Sequence, residues 1–182
     1  EMRPRVAFYP CCHRDIEEPL ALLKPFADEV VFCDINSALL PRWRASISSL
    51  GDGPHASFLI GDVRQVVSSV EVIDVLFYRG DSLGEGGSGV FVLGDSFLPF
   101  ILKRFHPEGG LIITDGSNSR GSNFERMIRK NGMTKHGWSF QKFPEQPYVE
   151  RYGLHIVGVK PVLTAQPVAP EGRFADKPAS RP

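Results

Sequence analysis

Residues 5–34 read RVAFYPCCHRDIEEPLALLKPFADEVVFCD. Two short apolar runs bracket this stretch: Arg5-Val6-Ala7-Phe8-Tyr9, stopped by Pro10, and Glu29-Val30-Val31-Phe32-Cys33-Asp34. Runs of that length, rich in Val and Phe, read as buried strands. Between them Leu20, Leu22, Leu23 and Phe26 recur at helical spacing, which predicts a helix over 17–27. Pro19 fits its first turn and Pro25 ends or kinks it. A strand, a helix and a second strand make a right-handed crossover between parallel neighbours. Strands with no polar face are expected when helices cover both sides of the sheet.

The same alternation continues along the chain. A second helix is predicted over 37–50, with Ser37 as a cap, Leu39, Leu40, Trp43 and Ile47 near one face, and Gly51 as its stop. Ala56–Ile60 is a third strand, 63–70 a short helix, and Val72–Tyr78 a fourth strand. Residues 79–89 are the most glycine-dense part of the chain, and a helix is predicted over 94–105. Gly110–Asp115 is a fifth strand, followed by a helix carrying Phe124, Met127 and Ile128 and ending at Gly132. Two further strands are expected around 134–142 and 153–160, with no clear helix between them, as in a hairpin that ends the sheet antiparallel. The expected architecture is a three-layer α/β/α sandwich on a mostly parallel seven-stranded sheet with an antiparallel C-terminal strand. Residues 1–160 form one domain on this reading. Residues 161–182, with scattered prolines and no periodicity, form a tail that is disordered or strapped on the surface.

Composition narrows the function without naming it. The chain has 182 residues, 21 basic and 21 acidic, so its formal net charge is zero. A general nucleic-acid binder would be basic. No apolar run approaches the ~20 residues that a membrane span needs. The three cysteines cannot form a full disulfide framework, and Cys11 and Cys12 are adjacent. With no apolar signal segment in Glu1-Met2-Arg3-Pro4-Arg5, a reducing cytoplasm is the expected compartment.

Open α/β sheets bind ligands at the carboxyl ends of their strands. Strand one ends in Pro10-Cys11-Cys12-His13-Arg14-Asp15, without glycine. Strand two ends in Asp34, where a carboxylate suits a ribose diol or caps the next helix. Strand three ends in Gly61-Asp62, and Asp62 could accept from an adenine amino group or cap a helix. Asp81 and Asp115 follow strands four and five; they could share a divalent ion or be ordinary loop carboxylates. Cys11, Cys12, His13 and Cys33 converge near the first two strand ends, as soft metal ligands or as buried thiols. No metal is assigned.

Over about residues 5–160 the order of elements resembles the class I S-adenosylmethionine-dependent methyltransferases, a Rossmann-like fold. The resemblance rests on Val6–Asp15, on Val31-Phe32-Cys33-Asp34, on Gly61-Asp62 and on Ile73-Asp74-Val75-Leu76-Phe77-Tyr78. Gly109-Gly110-Leu111-Ile112-Ile113-Thr114-Asp115 is similar to the family's fifth strand with its preceding turn. The first loop departs from the family's Asp/Glu-x-Gly-x-Gly-x-Gly, because Phe8-Tyr9-Pro10-Cys11-Cys12-His13 stands there. Tyr78-Arg79-Gly80-Asp81 replaces the Asn-Pro-Pro-Tyr signature of amino-methylating members. The resemblance implies S-adenosylmethionine as cofactor, with Asp34 on its ribose, Asp62 on its adenine, and Pro10, Cys11, Cys12 and Asp15 beside it. Tyr78 and Asp81, after strand four, would face the acceptor and orient or deprotonate it.

Three readings follow. The chain is a methyltransferase acting on a small molecule or a protein. It is a methyltransferase-like binding or regulatory module without catalysis. Or it carries a metal- or thiol-dependent site at Cys11, Cys12, His13 and Cys33.

Overall fold

The structure, a computed structural model, describes residues 2–79, 93–94, 96–116, 132–144 and 146–163. Its strands are β1 (Val6–Pro10), β2 (Glu29–Asp34), β3 (His55–Ile60), β4 (Val75–Tyr78), β5 (Gly110–Thr114), β6 (Met133–Lys135), β7 (Trp138–Lys142) and β8 (His155–Pro161). Its helices are α1 (Glu17–Leu22), α2 (Leu40–Ser48), α3 (Val63–Val66), α4 (Leu98–Leu102) and α5 (Pro147–Glu150). One sheet holds all eight strands in the order β3-β2-β1-β4-β5-β8-β7-β6. The first five run parallel, and β8, β7 and β6 then alternate antiparallel. The order runs outward from β1 to β3 and then jumps to β4 and β5 on its other side. Right-handed crossovers therefore put α1 and α2 on one face and α3 and α4 on the other.

One apolar row crosses six strands on the α2 face. Phe58 lies beside Phe32 and Phe32 beside Tyr9 in the strand register, and Phe77 lies beside Ile113 and Ile113 beside Ile156. Tyr9 joins the two halves by meeting Phe77 edge-on at 4.8 Å between ring centroids. Trp43 of α2 stacks on Phe58 at 4.9 Å and is fully buried. Phe8, Leu76 and Ile112 fill the opposite face and are equally buried. A strand apolar on both faces reads as a continuous apolar run, which is why the parallel strands were visible in the sequence.

The sheet has one more strand than expected. The run expected as a single strand over 134–142 is the β6–β7 hairpin, folded at His136-Gly137. Both turn residues have positive φ, 54° and 79°, as a two-residue hairpin turn of right-handed strands requires. β4 starts at Val75, later than expected; Ile73 forms a separate bridge to Phe105, and Asp74 still bonds Val6 and Leu111 through its main chain. Its carboxylate accepts from the Val6 N–H at 2.8 Å and from both Arg3 nitrogens at 2.6 and 2.8 Å. The helices are shorter than the periodicity predicts. α1 and α4 give way to turns, and the predicted 63–70 helix is α3 followed by a 3-10 turn at Val67–Ser69. Pro161 still pairs with Trp138 in β8. The glycine-dense segment from Gly80 on, the helix carrying Phe124, and tail residues 164–182 lie outside the described residues.

The turn into β5 leaves no room for a side chain. A Cβ at Gly110 would lie 2.3 Å from the Asp74 carbonyl oxygen. Nothing lies within 4 Å of the same position at Gly51. Gly110→Ala is expected to lower the unfolding free energy by about 1–3 kcal/mol in urea denaturation, and Gly51→Ala to change it by less than about 0.5 kcal/mol.

Candidate functional site at the carboxyl ends of the strands

β1 ends at Pro10 and the chain bends sharply twice. Cys11 and His13 both take left-handed backbone conformations, with φ of 56° and 48°. For residues with a Cβ that conformation costs roughly 1–2 kcal/mol each. Several bonds hold the loop in it. The Cys12 N–H donates to the Cys33 carbonyl at 3.0 Å, and the Asp15 N–H to the Cys12 carbonyl at 2.9 Å. The His13 N–H donates to an Asp34 carboxylate oxygen at 2.9 Å. The His13 carbonyl accepts from the Trp43 indole at 2.7 Å.

The other Asp34 oxygen accepts from the Asn36 N–H at 2.9 Å. The cap of the following 3-10 turn, Ser37–Leu39, is Asn36, whose side chain accepts from the Ala38 N–H. Each Asp34 oxygen takes one of these bonds, and a carboxylate oxygen has lone pairs for a second. The Gly61 N–H donates to the Asp34 carbonyl at 2.9 Å, tying the end of β3 to the end of β2. Asp62 caps α3, accepting from the Arg64 N–H at 2.9 Å. It also forms a close ion pair with the Arg64 side chain. Arg64 holds the Asp62 carboxyl down at about 2.

The strand order reverses between β1 and β4, and the described chain bridges that crevice. Arg79, directly after β4, grips the Asp15 carboxylate with two nitrogens at 2.6 and 2.7 Å. It reaches Glu18 of α1 at 2.9 Å and lies 5.9 Å from the Phe77 ring centroid. The Tyr9 hydroxyl donates to Asp15 at 2.7 Å. Burial, then the Asp15 charge, pushes the Tyr9 phenol far up, so it stays a donor. The Asp15 hydrogen bonds likewise raise the Arg79 guanidinium.

The first loop thus brings Pro10, Cys11, Cys12 and Asp15 together with Asp34, and Asp62 follows one strand away. Tyr78 is 3% exposed at the end of β4, beside Thr114 in the register. Asp81 lies outside the described residues. Cys12 and Cys33 are buried, and Cys11 is partly so. Burial pushes the Cys12 thiol well up, and burial with the Cys11 and Asp34 charges pushes Cys33 up to about 12. Those two thiols stay protonated at neutral pH, unlike reactive nucleophiles. Among the described residues no group of three or more His, Cys, Asp or Glu side chains is placed to hold a metal ion. No described helix is long and apolar enough to cross a membrane.

Sequence reasoning missed Arg79, Tyr9 and Glu18. The available signal was topological, because Asp15 and Arg79 flank the place where the order of the parallel strands reverses, the usual ligand crevice of such sheets.

Two outcomes are expected. Asp62 has a folded value of about 2 against an ordinary 3.8, so its contribution is complete above the ordinary value. That contribution is lost as pH falls through the folded value. NMR titration of the Asp62 carboxyl should find a midpoint near 2, and Arg64→Ala should raise it toward 3.8. The Asp15 and Arg79 side chains are 30% and 16% exposed. A double-mutant cycle of Asp15→Ala and Arg79→Ala is expected to give a coupling of about 1–2 kcal/mol in unfolding free energy.

No family profile and no curated protein matches the sequence. Solved structures do match the fold. A candidate methyltransferase from Streptococcus mutans, solved with S-adenosylhomocysteine, aligns with a TM-score of 0.54 at 14% identity, over 87% of this chain and 89% of that one. A methyltransferase from Geobacter sulfurreducens gives 0.53 at 16% identity, over 87% and 71%. The plantazolicin methyltransferase, solved with a triazolic analogue and S-adenosylhomocysteine, gives 0.52 at 13% identity, over 87% and 78%. With five parallel strands in the order β3-β2-β1-β4-β5 and an antiparallel end, this chain has the class I methyltransferase-like Rossmann fold.

Proposed function

We propose that the chain binds S-adenosylmethionine across the carboxyl ends of β1, β2 and β3 and transfers its methyl group to a small-molecule or protein acceptor. One observation carries the reading. The first loop has left-handed bends at Cys11 and His13, two residues apart, the spacing of the glycines in the motif Asp/Glu-x-Gly-x-Gly-x-Gly. On this reading the loop makes its bends without the usual glycines, at a cost in strain that functional sites commonly hold.

The residues present suit that cofactor. Asp34 has lone pairs left for ribose hydroxyls. Asp62 would face the adenine, and Pro10, Cys11, Cys12 and Asp15 the methionine end. Asp15 and Glu18 against Arg79 leave one net negative charge at the crevice, which favours a cationic ligand. When bound, S-adenosylmethionine supplies an electrophilic methyl group on a sulfonium. The chain's own contribution is to hold the acceptor in line and exclude water. Tyr78 and Asp81 would orient the acceptor or take its proton. Three cysteines outside any disulfide fit a reducing compartment such as the cytoplasm.

A second reading, a binding module without catalysis, has one observation in its favour: the Arg79–Asp15 pair spans the crevice from β4 to the first loop.

Calorimetric titration with S-adenosylmethionine and S-adenosylhomocysteine, followed by a methyl-transfer screen, separates the two. Micromolar binding, about −8 kcal/mol, is expected. Asp34→Ala should weaken it at least about tenfold, with far-UV circular dichroism unchanged. Absence of heat and of thermal stabilisation at millimolar ligand would overturn the proposal. Binding followed by no methyl transfer to any screened acceptor supports the second reading.

A further inference from the structure

We infer that β3 is a self-association edge, through which two copies of this chain pair antiparallel about a two-fold axis at Phe58. The inference is independent of the cofactor reading.

β3 is the outermost strand on its side of the sheet, and among the described residues no strand pairs with its outer edge. Its inner edge is fully used. The register to β2 is unbroken from His55 to Ile60. The N–H groups of His55 and Gly61 donate to Asp28 and Asp34 of the β2 side. Odd-numbered residues therefore face β2, and alternation turns the N–H and C=O of Ala56, Phe58 and Ile60 outward. In a stable monomer such an edge is normally guarded by charge, proline, a bulge or brevity. The opposite edge follows that rule, because β6 spans only Met133–Lys135 and ends in a lysine. β3 does not, because His55-Ala56-Ser57-Phe58-Leu59-Ile60 holds no proline, glycine, lysine, arginine or acid.

The occupant that fits is a second β3. With Phe58 opposite Phe58, Ala56 of each copy falls opposite Ile60 of the other. Those are the outward-facing residues, so every outward N–H and C=O meets its complement in the narrow, doubly bonded pairing of antiparallel strands. No other antiparallel register matches all three.

Charge favours the same arrangement. Near the amino end of β3 lie exposed Asp52 and Glu71, the latter beside Ser57 in a groove of about 530 Å³. Near its carboxyl end lie exposed Arg42 and Arg44, in the first half of α2, while Arg64 just after the strand is neutralised by its ion pair with Asp62. Antiparallel pairing sets the acidic end of each copy toward the basic end of the other, whereas parallel pairing would set like against like.

Sedimentation equilibrium of the full chain between about 1 and 100 µM tests the association, and amide hydrogen exchange by NMR locates it. The expected mass is twice 20.2 kDa at the upper end. The Ala56, Phe58 and Ile60 amides should be protected there and lose protection on dilution, while Ser57 and Leu59 stay protected throughout. Ala56→Pro removes one outward N–H and leaves the ladder to β2 intact, as edge strands tolerate. It should give a monomer with unchanged circular dichroism. The exchange readout on the unmodified chain keeps the test decisive if that variant misfolds. A monomer at the upper concentration overturns the inference, whether those three amides exchange freely or are covered by another segment of the same chain. So does a dimer in which they exchange freely.

Discussion

The main chain of His13 is held from both sides. Its N–H is bound by Asp34 at the end of β2, and its carbonyl by the indole of Trp43 from α2. The first loop can keep two left-handed residues because these partners come from elements already fixed by packing. Trp43 is stacked on Phe58, which extends the aromatic row across β2 and β1. The path of the loop is therefore a property of the core beneath it. A loop that relied on glycine would reach the same bends with less support.

That dependence shapes the chemistry open to the site. Cys11, Cys12 and Cys33 lie where a nucleophile or a soft metal site was conceivable. Burial holds the Cys12 and Cys33 thiols in their protonated form, and the loop spends its backbone groups on Asp34 and Trp43 instead. Charge is concentrated one step away, where Asp15, Glu18 and Arg79 bridge the point at which the strand order reverses. A ligand entering there meets a charged cluster rather than open backbone.

The parallel strands were legible because burial on both faces leaves an uninterrupted apolar run; β2 was readable to the residue. What periodicity misjudged was length. α1 and α4 end where prolines and turns take over, and an apolar stripe marks a buried face without marking regular hydrogen bonding. β4 looked longer because the apolar run begins at Val72, and only the folded chain shows Ile73 bridged to Phe105. The hairpin was hidden because histidine, not asparagine or aspartate, precedes the turn glycine. The Asp15–Arg79 pair joins residues 64 apart, and no local spacing rule can find it. The place of Asp34 at the end of a strand was legible, but its two backbone partners were not, since they depend on where the neighbouring loop turns back.

The chain's two tryptophans are placed very differently. Trp43 is sealed in the core with its indole N–H bound to the first loop, whereas Trp138 lies half-buried on β7, edge-on to Phe105, on the far side of the sheet. Their ultraviolet emission should therefore differ in colour and in access to aqueous quenchers, with Trp43 the bluer and better shielded. Any event that shifts the loop after β1 must alter the hydrogen bond of that one chromophore and leave the other untouched. The protein thus carries its own optical probe of the candidate site, with a built-in reference.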